Sequence, residues 1–351
     1  MTFMKAVAIA ADRSLEPTEL EEPPLRPHEA RVRVAFCGIC GSDLHLRPSP
    51  AVAAGSIMGH EFSGTVSEIG SGVEGFRPGD RVAVFPFSPC GQCPNCRRGD
   101  EHVCMNAATT GLGLGLRPGA YAESVVVDGS MLVGIPDELS FEHAALVEPL
   151  AVALHGVQIG DAERGDRCVV IGAGPIGVMT ALALRARGIE RVLVVERNER
   201  RQERMRDLGF EAMGLEGVHD RVLAWFGGEA ADVVLECAGN PAAPQLAIEV
   251  VRGRGIVALL GVLEEPVQIS QLVLLIKEAQ IRGSFAYRRT EFEEAVELLA
   301  AGRLPVDRLI TGTAPLEAAQ AMFERLENPA TADIKILLTP EIRNAGVSSN
   351  T

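Results

Sequence analysis

The pattern of apolar and polar residues changes along the chain and predicts two kinds of structure. Up to about residue 150, short alternating runs such as Ala30-Arg-Val-Arg-Val-Ala35 are separated by glycine and proline, which is typical of short strands joined by turns. From about residue 167, brief apolar strands alternate with helical segments, beginning with a strand at Cys168–Ile171 and a helix from Gly177 to Arg187. This alternation predicts a parallel sheet covered by helices on both faces.

The last part of the chain, after about residue 286, has a mixed pattern. Two amphipathic helices, Glu291 to Ala301 and Leu316 to Leu326, precede a strand from Ile334 to Leu338. A chain of 351 residues is too long for one compact core. We therefore expect an α/β protein with two domains, of which one is rich in β-strands and the other contains a doubly wound parallel sheet.

Charge and composition exclude several classes of protein. The formal net charge of −14 argues against a surface that binds nucleic acid or an anionic membrane. No uncharged apolar run reaches about 18 residues, so we expect no membrane span. Asp12 and Arg13 interrupt the apolar start, which we interpret as a first strand and not as a signal peptide. The spacing of the eight cysteines favours metal binding in a reducing cytosol, which predicts a cytoplasmic location.

A glycine-rich turn follows the strand that ends at Ile171 and opens the next helix. It matches the pattern G-x-G-x-x-G with Gly172, Gly174, Pro175, Ile176 and Gly177. In this context the glycines allow a tight turn, close approach of a pyrophosphate and close packing of the helix. Glu196 ends the next strand, where a carboxylate can accept both hydroxyls of an adenosine ribose and would repel a 2′-phosphate. NAD is therefore favoured over NADP, although the adjacent Arg197 could soften this preference.

Four cysteines form a compact set of possible metal ligands. They are Cys90, Cys93, Cys96 and Cys104. Four thiolates make a closed tetrahedral zinc site with no position left for substrate. We expect a structural zinc that holds a lobe of about residues 88–106, with disulfides as the alternative.

A second set of metal-binding side chains differs from the first because it mixes ligand types. Cys40 and His60 are the strongest candidates for zinc ligands. Glu61 and Glu148 are two candidate carboxylates, of which we expect one to bind zinc directly and the other to lie nearby. Three mixed ligands leave one position open for water or substrate, as catalytic zinc requires.

The residues that follow Cys40 supply the other parts of an active site. Ser42 and His45 offer a hydroxyl and an imidazole that could carry a proton to solvent. Asp43 is expected to accept an N–H from His60 and so to orient that ring toward zinc.

Together these motifs resemble the zinc-dependent medium-chain dehydrogenase/reductase family, which includes the alcohol dehydrogenases. The resemblance covers nearly the whole chain, with Cys40-Gly-Ser-Asp-Leu-His45, Gly59-His-Glu61, the four cysteines, Glu148-Pro-Leu150 and the glycine-rich turn in the family's order. It implies a GroES-like catalytic domain at residues 1–152 and 287–351, a Rossmann NAD-binding domain at residues 153–286, and an active site in the cleft between them.

The segment Glu148-Pro-Leu-Ala-Val-Ala-Leu-His155 resembles the polyol, sorbitol and butanediol dehydrogenase branch. That branch implies zinc bound by Cys40, His60, Glu61 and a water. Glu148 is then expected to lie nearby or to enter the zinc coordination by exchange. Ala286 stands where sorbitol dehydrogenases often have arginine, and Ala151-Val152 where threonine dehydrogenases usually have Gly-Asn. Neither sorbitol nor threonine is therefore favoured as the substrate.

The implied reaction is reversible hydride transfer between a secondary alcohol or polyol and NAD, with two zinc ions per chain. The proton would leave through Ser42, the nicotinamide ribose and His45. The alternatives are a threonine-type amino-alcohol dehydrogenase and, in another class, a catalytically silent nucleotide-binding structural or regulatory protein. The family also implies a homodimer or homotetramer. The apolar runs Gly255 to Leu263 and Gln271 to Ile276 fit an edge-to-edge dimer and core packing about equally well.

Overall fold

The computed structural model describes residues 2–328 and 330–340, which form two compact units. The β-rich unit contains the described residues up to Glu148 and from Val306 onward. The parallel-sheet unit is Pro149–Pro305. No helix among the described residues combines the length and the apolar character needed to cross a bilayer.

The strands and helices are numbered in chain order. The strands are β1 (Phe3–Ile9), β2 (Leu15–Glu21), β3 (Glu29–Gly38), β4 (Glu61–Ile69), β5 (Arg81–Val84), β6 (Ser124–Asp128), β7 (Leu132–Gly134), β8 (Cys168–Ile171), β9 (Val192–Val195), β10 (Glu211–Met213), β11 (Ala231–Glu236), β12 (Val251–Leu259), β13 (Gln280–Gly283), β14 (Ile310–Pro315) and β15 (Lys335–Thr339). The α-helices are α1 (Gly41–Leu46), α2 (Pro94–Arg97), α3 (Ala107–Thr110), α4 (Phe141–Ala144), α5 (Val147–Ile159), α6 (Pro175–Ala186), α7 (Glu199–Asp207), α8 (Val218–Trp225), α9 (Ala243–Val250), α10 (Gln271–Lys277), α11 (Arg289–Ala300) and α12 (Ala319–Glu327).

The main sheet of the β-rich unit has the strand order β14-β15-β3-β4-β5-β7, with β6 paired to β3. All its pairs are antiparallel except that of β14 with β15. Gly38 at the end of β3 faces Glu61 at the start of β4, and Leu337 of β15 pairs with the same Gly38. The sheet therefore brings three distant parts of the sequence together at one point.

The parallel-sheet unit has the strand order β10-β9-β8-β11-β12-β13, and all its strand pairs are parallel. The strands β8 and β11 lie where the order reverses, which is where sheets of this kind bind ligands beyond the carboxyl ends of their strands. The short strands are almost entirely apolar because helices cover the sheet on both faces. The predicted α/β fold class is confirmed.

The chain returns from the parallel-sheet unit to the β-rich unit later than the predicted domain limits place this point. The prediction ended the cofactor domain at residue 286, whereas the parallel-sheet unit continues to Pro305 and includes α11. Two polar contacts join α11 to other helices of that unit: Glu291 binds His155 of α5, and Glu294 binds Arg187 at the end of α6. Because these contacts are tertiary, the amphipathic pattern of α11 did not indicate which unit it would join.

The two apolar runs that could have formed a dimer edge lie in different environments. Residues 255–259 belong to β12, in which Val257 and Ala258 are fully buried. The run from Gln271 forms α10 instead, and its residues Leu272, Leu275 and Ile276 are 66%, 64% and 75% exposed. Core packing explains the β12 part of the first run, although Val262 beyond it is 59% exposed. The second run packs against β12 and α9 and presents an apolar surface.

Candidate active site

The helix α1 begins directly after Cys40 and fixes the first part of the site. The backbone N–H of Cys40 donates a hydrogen bond to Asp43 Oδ2 at 2.9 Å. An acidic side chain in the first turn is suited to the free N–H groups at a helix start. Asp43 is thereby drawn inward and is fully buried.

Three of the predicted zinc ligands converge in the β-rich unit. The ligand atoms of Cys40, His60 and Glu61 all lie within 4.8 Å of one another, and both His60 and Glu61 are buried. A tetrahedral zinc with bonds of about 2.0–2.3 Å needs neighbouring ligand atoms less than about 4 Å apart. Small side-chain adjustments satisfy that requirement, and a thiolate, an imidazole and a carboxylate are ordinary zinc ligands. The site therefore fits a zinc ion with one position left open.

The candidate Glu148 and the nearby cysteine Cys37 lie outside this group of three among the described residues. Glu148 is buried, and it is near enough to Lys335 for the two charges to interact. Cys37 is fully buried, and its thiol contacts the carbonyl oxygen of Gly38 at 3.7 Å. Burial raises the pKa of Cys37 well above its ordinary value, with a further contribution from Asp43, as expected for an inert core thiol.

The carboxylate of Glu61 is held by a buried lysine. Lys335 Nζ donates to Glu61 Oε1 at 2.7 Å, to Glu61 Oε2 at 2.5 Å and to the carbonyl oxygen of Ile39 at 3.0 Å. Burial alone would lower the pKa of Lys335, but Glu61, through its charge and hydrogen bond, together with the charges of Cys40 and Glu148, raises it. Gly38 makes room for this pair, because a Cβ at that position would overlap Glu61 Oε2.

The imidazole of His60 lies between two groups of the α1 segment. Its Nδ1 is 3.5 Å from Asp43 Oδ1, and its Nε2 is 3.4 Å from Ser42 Oγ. Burial by itself would lower the pKa of His60, but the charges of Asp43 and Cys40 raise it well above its ordinary value. Burial raises the pKa of Cys40, and the charge of Glu61 raises it further. Both pKa values are raised, and in each case nearby anionic groups favour the protonated form.

The predicted proton relay lies on one short helix. Ser42 is half-buried and adjoins Nε2 of His60, the ring nitrogen that faces away from Asp43. His45 comes three residues later, so it lies on the same helix face one turn on, and its side chain is exposed. The hydroxyl of Ser42 thus contacts His60, one of the three metal-binding groups, and the imidazole of His45 reaches solvent.

The four clustered cysteines also converge. The sulfur atoms of Cys90, Cys93, Cys96 and Cys104 lie within 4.8 Å of one another, with 3.9 Å between Cys90 and Cys96 and 3.4 Å between Cys93 and Cys96. Tetrahedral zinc with bonds of about 2.3 Å places its sulfurs about 3.8 Å apart. None of the eight cysteines, all of which are described, forms a disulfide. This set therefore fits a closed zinc site.

Backbone N–H groups surround these sulfurs. Cys93, Cys96 and Asn106 each donate a backbone N–H to a sulfur of the set at 3.4 Å. The N–H groups of Cys96 and Met105 lower the pKa of Cys93 to about 6, whereas burial raises the pKa of Cys96 to about 12.

The glycine-rich turn lies between β8 and α6 in the parallel-sheet unit. Gly172 has a φ of +97°, and a Cβ there would lie 3.0 Å from the backbone of Ala238. A Cβ on Gly177 would overlap the carbonyl oxygen of Gly172, so helix and turn pack without a side chain between them. Gly174 precedes α6, which starts with Pro175 and Ile176. A Cβ on Gly174 would contact only the guanidinium of Arg201 among the described residues. The free N–H groups at this helix start can receive a phosphate.

Glu196 follows β9 and lies beside this turn. It is buried, and its two carboxylate oxygens accept the N–H groups of Ala173 at 2.7 Å and Asn198 at 2.8 Å. Each oxygen keeps a further lone pair for a ribose hydroxyl. The adjacent Arg197 is exposed. The residues of the predicted cofactor site are therefore neighbours in the fold.

Comparisons with known proteins agree with this arrangement. Residues 26–137 match the family profile of the alcohol dehydrogenase GroES-like domain, and residues 175–301 match that of the zinc-binding dehydrogenases. The (R,R)-butanediol dehydrogenase of Bacillus subtilis strain 168 is 34% identical over 323 residues, which cover 88% of this chain and 91% of the relative. The chain belongs to the zinc-binding alcohol dehydrogenase family.

Two solved structures of similar proteins contain nicotinamide cofactors. A protein from Sinorhizobium meliloti 1021, described as a zinc-binding dehydrogenase, was solved with NADP; it is 31% identical with a TM-score of 0.87, covering 97% of this chain and 100% of its own. An alcohol dehydrogenase from Escherichia coli CFT073, solved with NADH, is 28% identical with a TM-score of 0.89 and the same coverage. The predictions of the medium-chain family and of a zinc-dependent alcohol-oxidising enzyme are confirmed.

Three polar residues of this dehydrogenase's sites were missed by the sequence reasoning. Lys335 is one of only three lysines in the chain and stands alone in an apolar strand, so a buried counter-ion could have been expected. Tyr121 donates a hydrogen bond to Asp43 at 2.7 Å, and Arg201 lies beside Gly174 of the dehydrogenase's glycine-rich turn. The sequence contains no local signal for either contact.

Proposed function

We propose that this dehydrogenase transfers a hydride reversibly between a secondary alcohol or polyol and NAD at a zinc ion bound by Cys40, His60 and Glu61. The observation that carries the proposal is the convergence of these three unlike ligand groups in a buried cluster with room for one more ligand. When bound, the zinc would supply a Lewis acid that favours loss of the alcohol proton, and the nicotinamide would supply the hydride acceptor.

Ser42 and His45 take part in removing the alcohol proton. Ser42 Oγ is 3.4 Å from His60 Nε2, so it adjoins the nitrogen available to the metal. It could accept a proton from a substrate hydroxyl while giving its own proton onward toward His45 and solvent. The exposed imidazole of His45, one turn further along α1, passes the proton to solvent. The replacement Ser42→Ala should lower turnover and leave the zinc content unchanged.

Glu61 is the direct carboxylate ligand, and Glu148 lies nearby. Support comes from Glu61 being grouped with Cys40 and His60, which Glu148 is not. One thiolate and one carboxylate balance the charge of Zn²⁺, so an alkoxide is not repelled by excess negative charge. Lys335 competes with the metal for the oxygens of Glu61, which makes this carboxylate a ligand that can leave and return.

A second zinc ion is structural and binds Cys90, Cys93, Cys96 and Cys104. The proposal rests on the clustering of four sulfurs and on the backbone N–H groups directed at them. Because unpaired thiols persist in a reducing compartment, we also assign the protein to the cytoplasm.

NAD is the preferred cofactor. The buried carboxylate of Glu196 adjoins the glycine-rich turn and would repel a 2′-phosphate placed on the adenosine ribose. Structures of similar proteins contain NADP in one case and NADH in another. The preference of this chain is therefore tested by comparing the two cofactors in the same assay. We expect kcat/KM to be at least about tenfold higher with NAD than with NADP, which corresponds to about 1.4 kcal/mol. The preference should narrow or reverse in Glu196→Gln, and a higher kcat/KM with NADP in the wild type would refute the assignment.

The chain forms a homodimer or homotetramer through the apolar surface of α10. Leu272, Leu275 and Ile276 are exposed on this helix, and β13, the next element in the chain, leaves one edge of the sheet unpaired among the described residues. An exposed apolar surface and an open strand edge each favour association with another copy. Ile276→Glu should lower the mass measured by light scattering, whereas a wild-type monomer would exclude the proposal.

An assay with NAD and a panel of vicinal diols, polyols, inositols, simple secondary alcohols and L-threonine tests the proposed activity. We expect NADH to form with diols or polyols, as the name of the Bacillus subtilis relative suggests. Threonine-type activity is not favoured because of Ala151 and Val152. Cofactor binding without turnover of any alcohol would instead indicate the silent nucleotide-binding protein.

A further inference from the structure

Tyr121 is a buried tyrosine whose hydroxyl contacts the candidate zinc site. It is fully buried, and its hydroxyl donates to Asp43 Oδ2 at 2.7 Å. The carbonyl oxygen of Gly38 lies at 3.5 Å and is a weaker acceptor. Burial, with a further contribution from the charge of Asp43, holds the pKa of Tyr121 well above its ordinary value. The phenol therefore keeps its proton and remains a donor.

The two oxygens of Asp43 have different surroundings. Oδ2 accepts two hydrogen bonds, one from Tyr121 and one from the backbone N–H of Cys40. Among the described residues, Oδ1 has no hydrogen-bond partner, and neither has Nδ1 of His60, which is 3.5 Å away. Two buried polar atoms without partners at this separation need only a few tenths of an ångström of movement to form a hydrogen bond.

We propose that the hydroxyl of Tyr121 is a positioning group for the zinc site, which it reaches through Asp43. By holding Oδ2 together with the N–H of Cys40, it sets the rotation of the carboxylate and aims Oδ1 at Nδ1 of His60. The carboxylate then accepts Nδ1–H, and this tautomer leaves Nε2 free to bind the metal. The inference rests on the proposed zinc site formed by Cys40, His60 and Glu61.

The packing around Tyr121 fixes the position of its hydroxyl. Gly59 has a φ of +98°, and a Cβ at that position would lie 2.6 Å from Cδ1 of the tyrosine ring. The ring of Phe323 contacts Tyr121 edge-on, with 6.0 Å between the centroids. Gly59 precedes His60 directly, so the ring packs beneath the backbone that carries the imidazole. A phenylalanine could fill the same space, which means that packing alone does not require the hydroxyl.

The matched pair Tyr121→Phe and Tyr287→Phe tests the proposal. The chain has two tyrosines, both fully buried, and Tyr287 lies in the parallel-sheet unit. Each variant loses one buried hydroxyl and keeps the ring. The first readout is the rate at which each zinc ion is released to a chelator. The kinetic phase that belongs to the catalytic zinc is the one that is missing in Cys40→Ala. We expect this phase to be about tenfold faster in Tyr121→Phe, as for other groups that orient a metal ligand, and unchanged in Tyr287→Phe.

The second readout is the tautomer of His60, measured by ¹⁵N NMR of the ring in the zinc-loaded and metal-free chain. The metal-free samples are measured at a pH above the raised pKa of His60, where the ring is neutral and has a defined tautomer. A loss of packing would not change the tautomer, whereas loss of the proposed role should mix the Nδ1–H and Nε2–H forms in the metal-free Tyr121→Phe variant. Adding Tyr121→Phe to Asp43→Asn should cause no further acceleration of zinc release. An additive effect would overturn the role assigned to Asp43.

The outcomes separate this inference from the proposed function. If Cys40→Ala keeps both zinc ions, the zinc site itself is wrong. If Cys40→Ala loses one zinc ion while Tyr121→Phe keeps the wild-type release rate and tautomer, only the role of Tyr121 is wrong.

Discussion

The two groups of metal-binding side chains in the β-rich unit differ in how they balance charge. The four-cysteine group is made of one ligand type, and backbone N–H groups contact its sulfurs. The group of Cys40, His60 and Glu61 mixes three ligand types and is surrounded by ionisable side chains, chiefly Lys335 and Asp43. Backbone dipoles are fixed by local folding, whereas buried side-chain charges depend on partners from distant parts of the chain.

This difference explains why one group suits structure and the other suits chemistry. A closed set of four thiolates has no position for substrate and stabilises the segment that supplies it. If zinc binds the set of three, the carboxylate of Glu61 would be shared between metal and lysine, and the coordination could change as substrate arrives.

Removing a sulfur from the closed group should unfold its lobe and spare the chemistry. We expect Cys104→Ser to lose one zinc ion per chain, because a structural zinc contributes on the order of 10 kcal/mol to the folding of small zinc-bound segments. Limited proteolysis should then cut within about residues 88–106, while turnover per remaining zinc changes less than about threefold. Loss of both zinc ions together would contradict the independence of the two groups.

Removing Lys335, which binds Glu61 in the group of Cys40, His60 and Glu61, should destabilise the metal-free protein more than the zinc-bound protein. Lys335→Met leaves Glu61 buried without its counter-ion, which should cost about 3–5 kcal/mol in urea unfolding of the metal-free chain. Zinc should restore part of this loss because it also pairs with Glu61. The control Lys5→Met, at an exposed lysine, should change the stability by less than about 0.5 kcal/mol.

The pH range of this effect follows from the raised pKa of Lys335. A lysine whose pKa is higher in the folded state stabilises fully below the unfolded value of about 10.4 and loses its contribution only as the pH rises through the folded value. The difference between wild type and Lys335→Met should therefore be constant from neutral pH to about pH 10. A difference that fades below that pH would show that the ion pair does not cause it.

The thiols of the two groups should react at different pH values immediately after zinc is removed, before the lobe of the four cysteines unfolds. Because backbone N–H groups lower the pKa of Cys93 to about 6, its alkylation by iodoacetamide should be half-maximal near that pH. Burial raises the pKa of Cys40, so its alkylation should require a pH above the ordinary thiol value. Mass spectrometry of peptides checks both residues in one sample. Equal pH profiles in the folded chain would contradict the contrast between fixed dipoles and buried charges.

The two candidate carboxylates should differ in zinc affinity. Glu61→Gln should weaken binding of the catalytic zinc by about 10- to 100-fold, since a neutral amide replaces an anionic ligand. Glu148→Gln should leave zinc affinity within about threefold of wild type and lower turnover by less than about tenfold. If a chelator titration shows weaker zinc binding in Glu148→Gln than in Glu61→Gln, Glu148 is the direct ligand.

The sequence predicted the elements and motifs that depend on neighbouring residues. The strand Cys168–Ile171 is β8 as predicted, and the helix predicted from Gly177 to Arg187 corresponds closely to α6. The predicted helix from Leu316 begins instead with a 3₁₀ turn at Leu316–Ala318 and continues as α12. The set of Cys40, His60 and Glu61 was found because each belongs to a short recognisable motif.

The contacts that the sequence did not predict join residues far apart in the chain. Lys335 and Glu61 are separated by 274 residues, and Tyr121 and Asp43 by 78. Sheet register brings the first pair together, because β15 pairs with the end of β3 where β4 begins. Hydrophobic periodicity predicts strands but not which strands pair. Similarly, it predicted the helix α11 but not its buried contact with His155, which places it in the parallel-sheet unit.

The most direct test of the central claim is zinc content and turnover in Cys40→Ala compared with Cys37→Ala. Both variants remove one thiol from the same short segment, but only Cys40 belongs to the group of three ligands. We predict that Cys40→Ala retains one zinc ion per chain and loses about 10³-fold or more in turnover, while Cys37→Ala retains two zinc ions and most of its activity. Two retained zinc ions and normal turnover in Cys40→Ala would contradict the assignment of this group as the catalytic centre.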